Sequence, residues 1–220
     1  MCEFSTKDLN RARWLAEVNW SDWRRDFEHS GKPDEIPILN DQARFHRFCQ
    51  EYSVLRYKTL ERKKEVWVFL CKKNRILNAV TDTSGLRIDH LAKEISKEFS
   101  SPDDEDKFEE PRSLLSKLAS FIRPAEFIAY DRYARRGAHY VANRSAYPVA
   151  PAGGPLRYPL KNFPYNNYSD YRRDVRKIQK GSAGNQIRNF IGNDPRGEAF
   201  TLRVIDCCLM MVGNRWVHAD

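Results

Sequence analysis

The chain contains no long apolar run. Nothing in its 220 residues approaches the roughly 18 consecutive apolar residues that a membrane-spanning helix needs, so no membrane partner is expected. The first residues, Met1 to Ser5, lack the basic and then apolar pattern of a signal peptide. The sequence therefore predicts a cytoplasmic protein.

Cysteine and histidine are also scarce. There are five of each, no two cysteines have the CxxC spacing, and the histidines show no metal-ligand spacing. The adjacent Cys207 and Cys208 are typical of small buried apolar side chains rather than of a reactive pair. No metal and no cofactor are predicted.

Positive charge is concentrated in one part of the chain. The formal net charge is +8, but the segment 112–180 alone carries 14 basic residues against four acidic ones. A zone of this density attracts polyanions, because neutralising phosphates releases condensed counterions. A solvated cationic surface with no partner is the alternative reading.

Tyrosines are concentrated in the same segment. Eight of the ten tyrosines lie between residues 112 and 180. The chain as a whole is expected to fold, because 41% of its residues are hydrophobic. Arginines for phosphates beside aromatic rings for stacking suit unstacked or flipped bases. We therefore interpret the segment as a nucleic-acid interface.

Apolar spacing predicts an all-α fold. Helical periodicity recurs along most of the chain, and only the segment 65–70 fits a strand as well as a buried helix. The pattern predicts an N-terminal helical region over residues 1–110 and a basic helical region over 111–220, together forming one integrated unit, with two lobes as a further possibility. Prolines and glycines mark residues 147–164 as a long loop.

Two residues in the basic region are candidates for chemistry. Lys117 lies at the edge of the apolar face of a helix predicted over 114–122, where partial desolvation would favour the neutral, nucleophilic amine. Asp131 begins the next predicted helix, where it can cap the helix or project into a cleft. The alternatives are a snorkelling lysine and a plain helix cap or ion-pair partner of Arg135.

These residues resemble a known family. Ser116 to Arg123, followed by Phe127 to Arg136, is similar to the 8-oxoguanine DNA glycosylases of the helix–hairpin–helix superfamily. Leu202 to Asp206 loosely resembles the closing helix of bacterial relatives with this glycosylase fold, so the resemblance covers residues 112–138 and, loosely, 198–213. The glycines of the family's hairpin are absent, since Leu114-Leu115-Ser116 stands ahead of the lysine. Arginines would then have to make the contacts with the DNA phosphates.

The resemblance implies a helical DNA-glycosylase-like architecture with a cleft, and a role for each candidate. Lys117 would attack the sugar C1′ and form a Schiff base, while Asp131 would stabilise positive charge on the sugar. The expected partner is double-stranded DNA with a flipped modified base. Predicted DNA contacts are Arg123, Arg132, Arg135, Arg136, Arg172, Arg173, Arg176 and Lys177, of which all but Arg123 are expected to face solvent. The predicted base pocket comprises Tyr130, Tyr133, Phe163 and Tyr165.

The leading functional hypothesis is accordingly a DNA glycosylase that excises a modified base, with or without lyase activity. A hypermodified phage base, and hence a role in antiviral defence, is an extension by analogy. The main alternative is a non-enzymatic DNA- or RNA-binding module or a subunit of a nucleoprotein system. A third is a helical interaction protein whose basic face meets an acidic partner.

Overall fold

The computed structural model describes residues 4–27, 36–55, 58–100, 108–143 and 165–214. Every regular element in these ranges is helical, so the all-α prediction is confirmed. Within the same ranges, no helix combines the length and apolar character needed to cross a membrane. The predicted loop 147–164 lies outside the described residues. The two-lobe arrangement and the boundary near residue 110 stay predictions.

The helices follow one another with short connections. Their bounds are α1 Thr6–Phe27, α2 Pro37–Asn40, α3 Gln42–Glu51, α4 Leu60–Cys71, α5 Arg75–Ala79, α6 Leu86–Phe99, α7 Arg112–Ile122, α8 Arg132–Ala142, α9 Tyr168–Lys180, α10 Ser182–Ile191 and α11 Gly197–Asn214. A short 3-10 turn, Lys72–Asn74, joins α4 to α5. The ambiguous segment 65–70 therefore lies in a helix.

A continuous hydrophobic core joins the two ends of the described chain. It runs from Phe4 to Leu209 and takes in residues of all the longer helices. The side-chain amide of Gln186 on α10 also bonds the backbone of Phe4, donating to its carbonyl oxygen at 2.8 Å and accepting from its N–H at 3.0 Å. Cys207 and Cys208 are buried in this core as predicted, although Cys71 is only half-buried.

Two glycines allow α8 and α11 to pack backbone against backbone. A Cβ atom at Gly137 would overlap the carbonyl oxygen of Leu209, and one at Gly213 would overlap that of Tyr133. Both overlaps fall far inside van der Waals contact. The absence of side chains at these positions therefore sets the distance between α8, which begins next to Asp131, and α11.

The first helix carries an exposed tryptophan. α1 is a single helix over Thr6–Phe27. Trp14 is 61% exposed on it. Scattered apolar residues on a surface are common, so periodicity alone does not reveal which apolar positions a neighbouring element covers.

The link between α7 and α8 is held by side chains of α9. Arg172 donates from Nε and Nη2 to the carbonyl oxygen of Glu126, at 3.1 and 2.5 Å. The Tyr168 hydroxyl donates to the Ile128 carbonyl oxygen, and the Tyr171 hydroxyl donates to that of Ala129. These bonds satisfy backbone carbonyl groups that lie between two helices and therefore have no helical hydrogen bond of their own. They fix the course of the chain immediately before Asp131.

A buried carboxylate fixes α9 in turn. Asp89 on α6 accepts hydrogen bonds from the backbone N–H groups of Tyr168 and Ser169 at 2.7 and 2.9 Å, in addition to the local cap from Asn167. Its Oδ1 also accepts from Arg112 Nε at 3.0 Å, at the start of α7. Asp89 therefore connects the beginnings of α7 and α9.

Candidate functional site

A cavity of about 460 Å³ opens where α7, the start of α8 and the residues before α9 meet. This volume lies in the range of small-molecule sites, roughly 300–1,000 Å³. Both predicted catalytic residues line it. The lining comprises Tyr52, Ser53, Glu109, Glu110, Arg112, Ser113, Lys117, Tyr130, Asp131, Arg132, Arg135, Tyr165 and Asn166. Four of these side chains are cationic and three are carboxylates.

Lys117 reaches into the cavity from the half-buried edge of α7. Its Nζ donates to the backbone carbonyl oxygen of Tyr52 at 2.8 Å, across 65 positions of sequence. Tyr52 ends α3, and the turn that follows holds Ser53 and Leu55 at φ values of 52° and 51°. Lys117 is thus directed by a specific acceptor and does not extend into solvent as a snorkelling lysine would.

Asp131 occupies the position that the sequence predicts. It is the N-cap of α8, with its Oδ1 accepting from the backbone N–H of Tyr133 at 2.8 Å. The preceding residue is tied to α7, because the Tyr130 N–H donates to Ser116 Oγ at 2.8 Å. The cap interpretation is correct, and the same residue lines the cavity beside Lys117.

Tyr130, Tyr165 and Arg135 form a bonded group in the cavity wall. The Tyr130 hydroxyl donates to the backbone carbonyl oxygen of Tyr165 at 2.6 Å. Arg135 donates from Nη1 to the Tyr130 hydroxyl at 3.2 Å, and its guanidinium lies 4.4 Å from the centre of the Tyr130 ring. Burial raises the pKa of Tyr130, whose side chain is 6% exposed and stays a neutral phenol. Two of the four predicted base-pocket residues therefore line the cavity.

Of the other two predicted pocket residues, one lies outside the cavity lining and one outside the described residues. Tyr133 is on α8 but is not in the lining, and its backbone carbonyl packs against Gly213 of α11. Phe163 lies outside the described residues.

The predicted DNA-contacting cations divide into separate groups. Arg132 and Arg135 line the cavity, while Arg136 is half-buried on α8 and is not in the lining. On α9, Arg173 is 64% and Lys177 is 66% exposed, paired with Asp170 and Asp174 at 2.9 and 3.0 Å.

Asp174 connects α9 to the cavity wall. The Tyr165 hydroxyl donates to Asp174 Oδ2 at 2.9 Å, and Lys177 contacts the other oxygen of that carboxylate. By contrast, Arg123 and Arg176 meet at Glu126, 3.6 and 3.8 Å from its carboxylate oxygens, and none of these three residues lines the cavity.

The prediction that Arg172 faces solvent is wrong. This side chain is 2% exposed, bonded to the Glu126 carbonyl oxygen and packed 4.9 Å from the centre of the Phe127 ring. Tyr168 and Tyr171 beside it are fully buried. The arginine and tyrosine content of this helix therefore reflects in part the support of the α7–α8 link, since buried hydroxyl and guanidinium groups need partners.

A second carboxylate close to the site escaped the sequence analysis. Asp206 on α11 is 3% exposed. Burial raises its pKa to about 6, against the opposing effect of Arg203, and the charges of Asp131 and Lys117 also act on it. Its signal in the sequence is a carboxylate between the apolar residues Val204-Ile205 and Cys207-Cys208-Leu209 of α11.

A larger cavity lies elsewhere, beside the turn between α10 and α11, with about 560 Å³. Asp194 in its lining is held by Arg196 at 2.7 Å, and this bond lowers its pKa to about 2. Its lining contains no lysine. In the described part of the chain, no three His, Cys, Asp or Glu residues come together as a possible metal site. The cavity of Lys117 and Asp131 is therefore the stronger candidate.

Comparison with known proteins adds no relative: no family model, curated protein or solved structure matches this chain.

Proposed function

We propose that this protein is a DNA glycosylase that removes a modified base, flipped into the cavity that Lys117 and Asp131 line. The observation that carries the proposal is the meeting of a directed lysine and a carboxylate in one cavity of suitable size. A base inside a duplex cannot be reached by such a site, so the nucleotide has to leave the stack.

The proposed reaction uses Lys117 as the nucleophile. The neutral amine attacks C1′ of the deoxyribose, the Nζ–C1′ bond forms, and the N-glycosidic bond breaks with its electron pair leaving on the base. The base takes up a proton, Nζ loses one, and ring opening gives the Schiff base. Asp131, as a carboxylate, stabilises the positive charge that develops on the sugar.

Cations at the cavity and beside it would hold the DNA backbone. Arg132 and Arg135 line the cavity, and Lys177 is linked to its wall through Asp174 and Tyr165. Such contacts position the duplex without reading its sequence. The proposal leaves the identity of the base open, and a hypermodified phage base in antiviral defence is one hypothesis among the candidates.

The test is borohydride trapping of the wild-type protein on duplexes that each carry one modified base, including 8-oxoguanine and hypermodified phage bases. We expect a covalent protein–DNA adduct and alkali-labile breaks with at least one duplex. Equal release of 8-oxoguanine and hypermodified bases would remove the defence hypothesis. Neither signal on any base would overturn the glycosylase proposal.

A non-enzymatic nucleic-acid-binding module is the second candidate. It is favoured by the fact that both key residues also have structural partners, Lys117 at the Tyr52 carbonyl and Asp131 at the α8 N-terminus. This candidate predicts salt-dependent binding that survives Lys117→Ala and Asp131→Asn, with no adduct to lose.

The division of the cations gives a prediction common to both candidates. Replacing Arg132 and Lys177 with alanine should lower the slope of log Kd against log salt by about 0.9 for each phosphate that the variant no longer neutralises. Replacing Arg123 and Arg176, which gather at Glu126 away from the cavity, should leave the slope unchanged. Fluorescence anisotropy with a labelled duplex measures both variants. Equal slopes in the two variants would contradict the assignment of the DNA surface.

A further inference from the structure

Two carboxylates are buried among the described residues, and they differ in how they are satisfied. Asp89 accepts from Arg112 Nε and from two backbone N–H groups. Asp206 accepts at Oδ2 from Arg203 Nη1 at 3.2 Å, while its buried Oδ1 finds no hydrogen-bond partner among the described residues. A buried carboxylate with an unused oxygen weakens a fold and calls for another explanation.

The Arg203–Asp206 pair is connected to the backbone of Lys117. Arg203 Nη2 donates to Ser120 Oγ at 3.4 Å, and the Ser120 hydroxyl donates to the carbonyl oxygen of Lys117 at 2.9 Å. Ser120 is fully buried one turn after Lys117. The pair therefore supports the turn of α7 that carries the lysine.

A second set of contacts leads from the same pair to the amine of Lys117. The Arg203 guanidinium lies 4.9 Å from the centre of the Phe121 ring. The Phe121 ring packs edge-on against Tyr52, with 5.1 Å between centroids, and Tyr52 supplies the carbonyl oxygen that accepts from Lys117 Nζ. The Arg203–Asp206 pair is thus connected to Lys117 by two routes. One runs through Ser120 to the backbone carbonyl of the lysine, and the other runs through Phe121 and Tyr52 to its Nζ.

Charged and titratable groups from several helices surround Asp206. Arg203 and Cys207 are on α11, Lys117 is on α7, Asp131 precedes α8, and Tyr168 and Tyr171 are on α9. The tyrosines and the cysteine stay neutral, because burial raises the pKa of each. The charges that act on Asp206 are therefore those of Arg203, Lys117 and Asp131.

We infer that Asp206 is a positioning residue for Lys117: through Arg203 it holds the turn of α7 and the Phe121 ring that fix the lysine in the cavity, so that its charge lies close enough to act on the amine. The inference rests on the proposed function for its catalytic meaning. The coupling between the two side chains exists without DNA and is measurable without it.

The test is the pH dependence of Lys117 acylation, measured by mass spectrometry after brief labelling of the full-length protein. Asp206→Asn keeps the shape and removes the negative charge, so the ammonium loses a stabilising neighbour. We expect the midpoint pH of labelling to fall by about one unit, which is about tenfold more reactive amine at a given pH. Asp170→Asn, on the exposed face of α9 beside Arg173, is the matched control and should not move the midpoint.

A second readout depends on folding alone. The pKa of Asp206 rises from 3.8 to about 6 on folding, so the folded state holds this proton more tightly than the unfolded state. The resulting stabilisation is complete below pH 4 and is lost as the pH rises through 6, a decrease of about a hundredfold in the ratio of folded to unfolded protein. Asp206→Asn should abolish this decrease in urea unfolding at pH 4 to 8.

The outcomes separate the inference from the proposed function. An unchanged labelling midpoint in Asp206→Asn overturns the inference, even if wild-type protein forms the DNA adduct. A shifted midpoint without any adduct supports the coupling and counts against the glycosylase. If Asp206→Asn does not fold, Arg203→Met with Asp206→Leu replaces the pair with apolar side chains of similar size, which folded proteins often tolerate. This double variant removes a positive and a negative charge together, so its Lys117 midpoint should move by less than in Asp206→Asn. The inference is then tested by urea unfolding, and a decrease in stability between pH 4 and 8 that persists in the double variant overturns it.

Discussion

Replacing Lys117 with alanine should abolish the borohydride-trapped adduct, with a decrease of about a hundredfold or more on the duplex that wild-type protein modifies. The variant removes the only proposed nucleophile, whereas the cavity wall of Tyr130, Tyr165 and Arg135 keeps its own hydrogen bonds. Denaturing electrophoresis of the trapped reaction measures the adduct. The fold should persist, since Lys117 is not part of the hydrophobic core.

Controls make this result specific. Lys93→Ala removes an exposed lysine of α6 that does not line the cavity, and its adduct yield should equal that of the wild-type protein. Asp131→Asn keeps an N-cap side chain and removes the charge, so base release should fall while the helix is retained. Alkali-labile breaks that persist in Lys117→Ala but vanish in Asp131→Asn would keep the glycosylase and remove the lysine from its chemistry.

A single methyl group added at the contact between α8 and α11 should strongly destabilise the fold. Gly137→Ala would place a Cβ atom on the Leu209 carbonyl oxygen, which belongs to backbone and cannot rotate away. We expect a loss of about 3 kcal/mol or more in the free energy of unfolding, or failure to fold. Urea unfolding followed by circular dichroism measures the difference.

Gly192→Ala is the matched control for that substitution. Gly192 ends α10 at a φ of 67°, and an added Cβ there would meet no atom within 4 Å. Its cost is backbone strain alone, about 1–3 kcal/mol, because φ of 67° with ψ of −150° is a conformation that essentially only glycine adopts. A Gly137→Ala variant as stable as the wild-type protein would show that the two helices can separate without penalty.

The parts of the site that the sequence predicts are those that depend on neighbouring residues. The Asp131 cap requires only residues 131 to 133, and the apolar face of α7 follows from its own spacing. Both are local consequences of helix geometry, so a single sequence reveals them. The resemblance to glycosylases then joined Lys117 and Asp131, and the two residues do line one cavity.

The parts that sequence analysis missed depend on contacts between distant residues. Nothing near Lys117 indicates that its acceptor is the carbonyl of Tyr52, and nothing near Arg172 indicates that its guanidinium is buried against residue 126. Arginine is mostly exposed in proteins, so the charge pattern of α9 favoured a solvent-facing side chain. Asp206 was overlooked because a carboxylate is also expected to be exposed, and its burial becomes visible only when the helices are packed together.

The hydrogen bonds from α9 to the link before Asp131 have an evolutionary consequence. The side chains of Tyr168, Tyr171 and Arg172 bond to backbone carbonyls, and every amino acid supplies the same carbonyl. Residues of the link can therefore diverge among related proteins, within the limits of volume, while Asp131 keeps its place. Variation tolerated in the link and purifying selection on α9 would let a lineage remodel the surroundings of the carboxylate without losing the carboxylate itself.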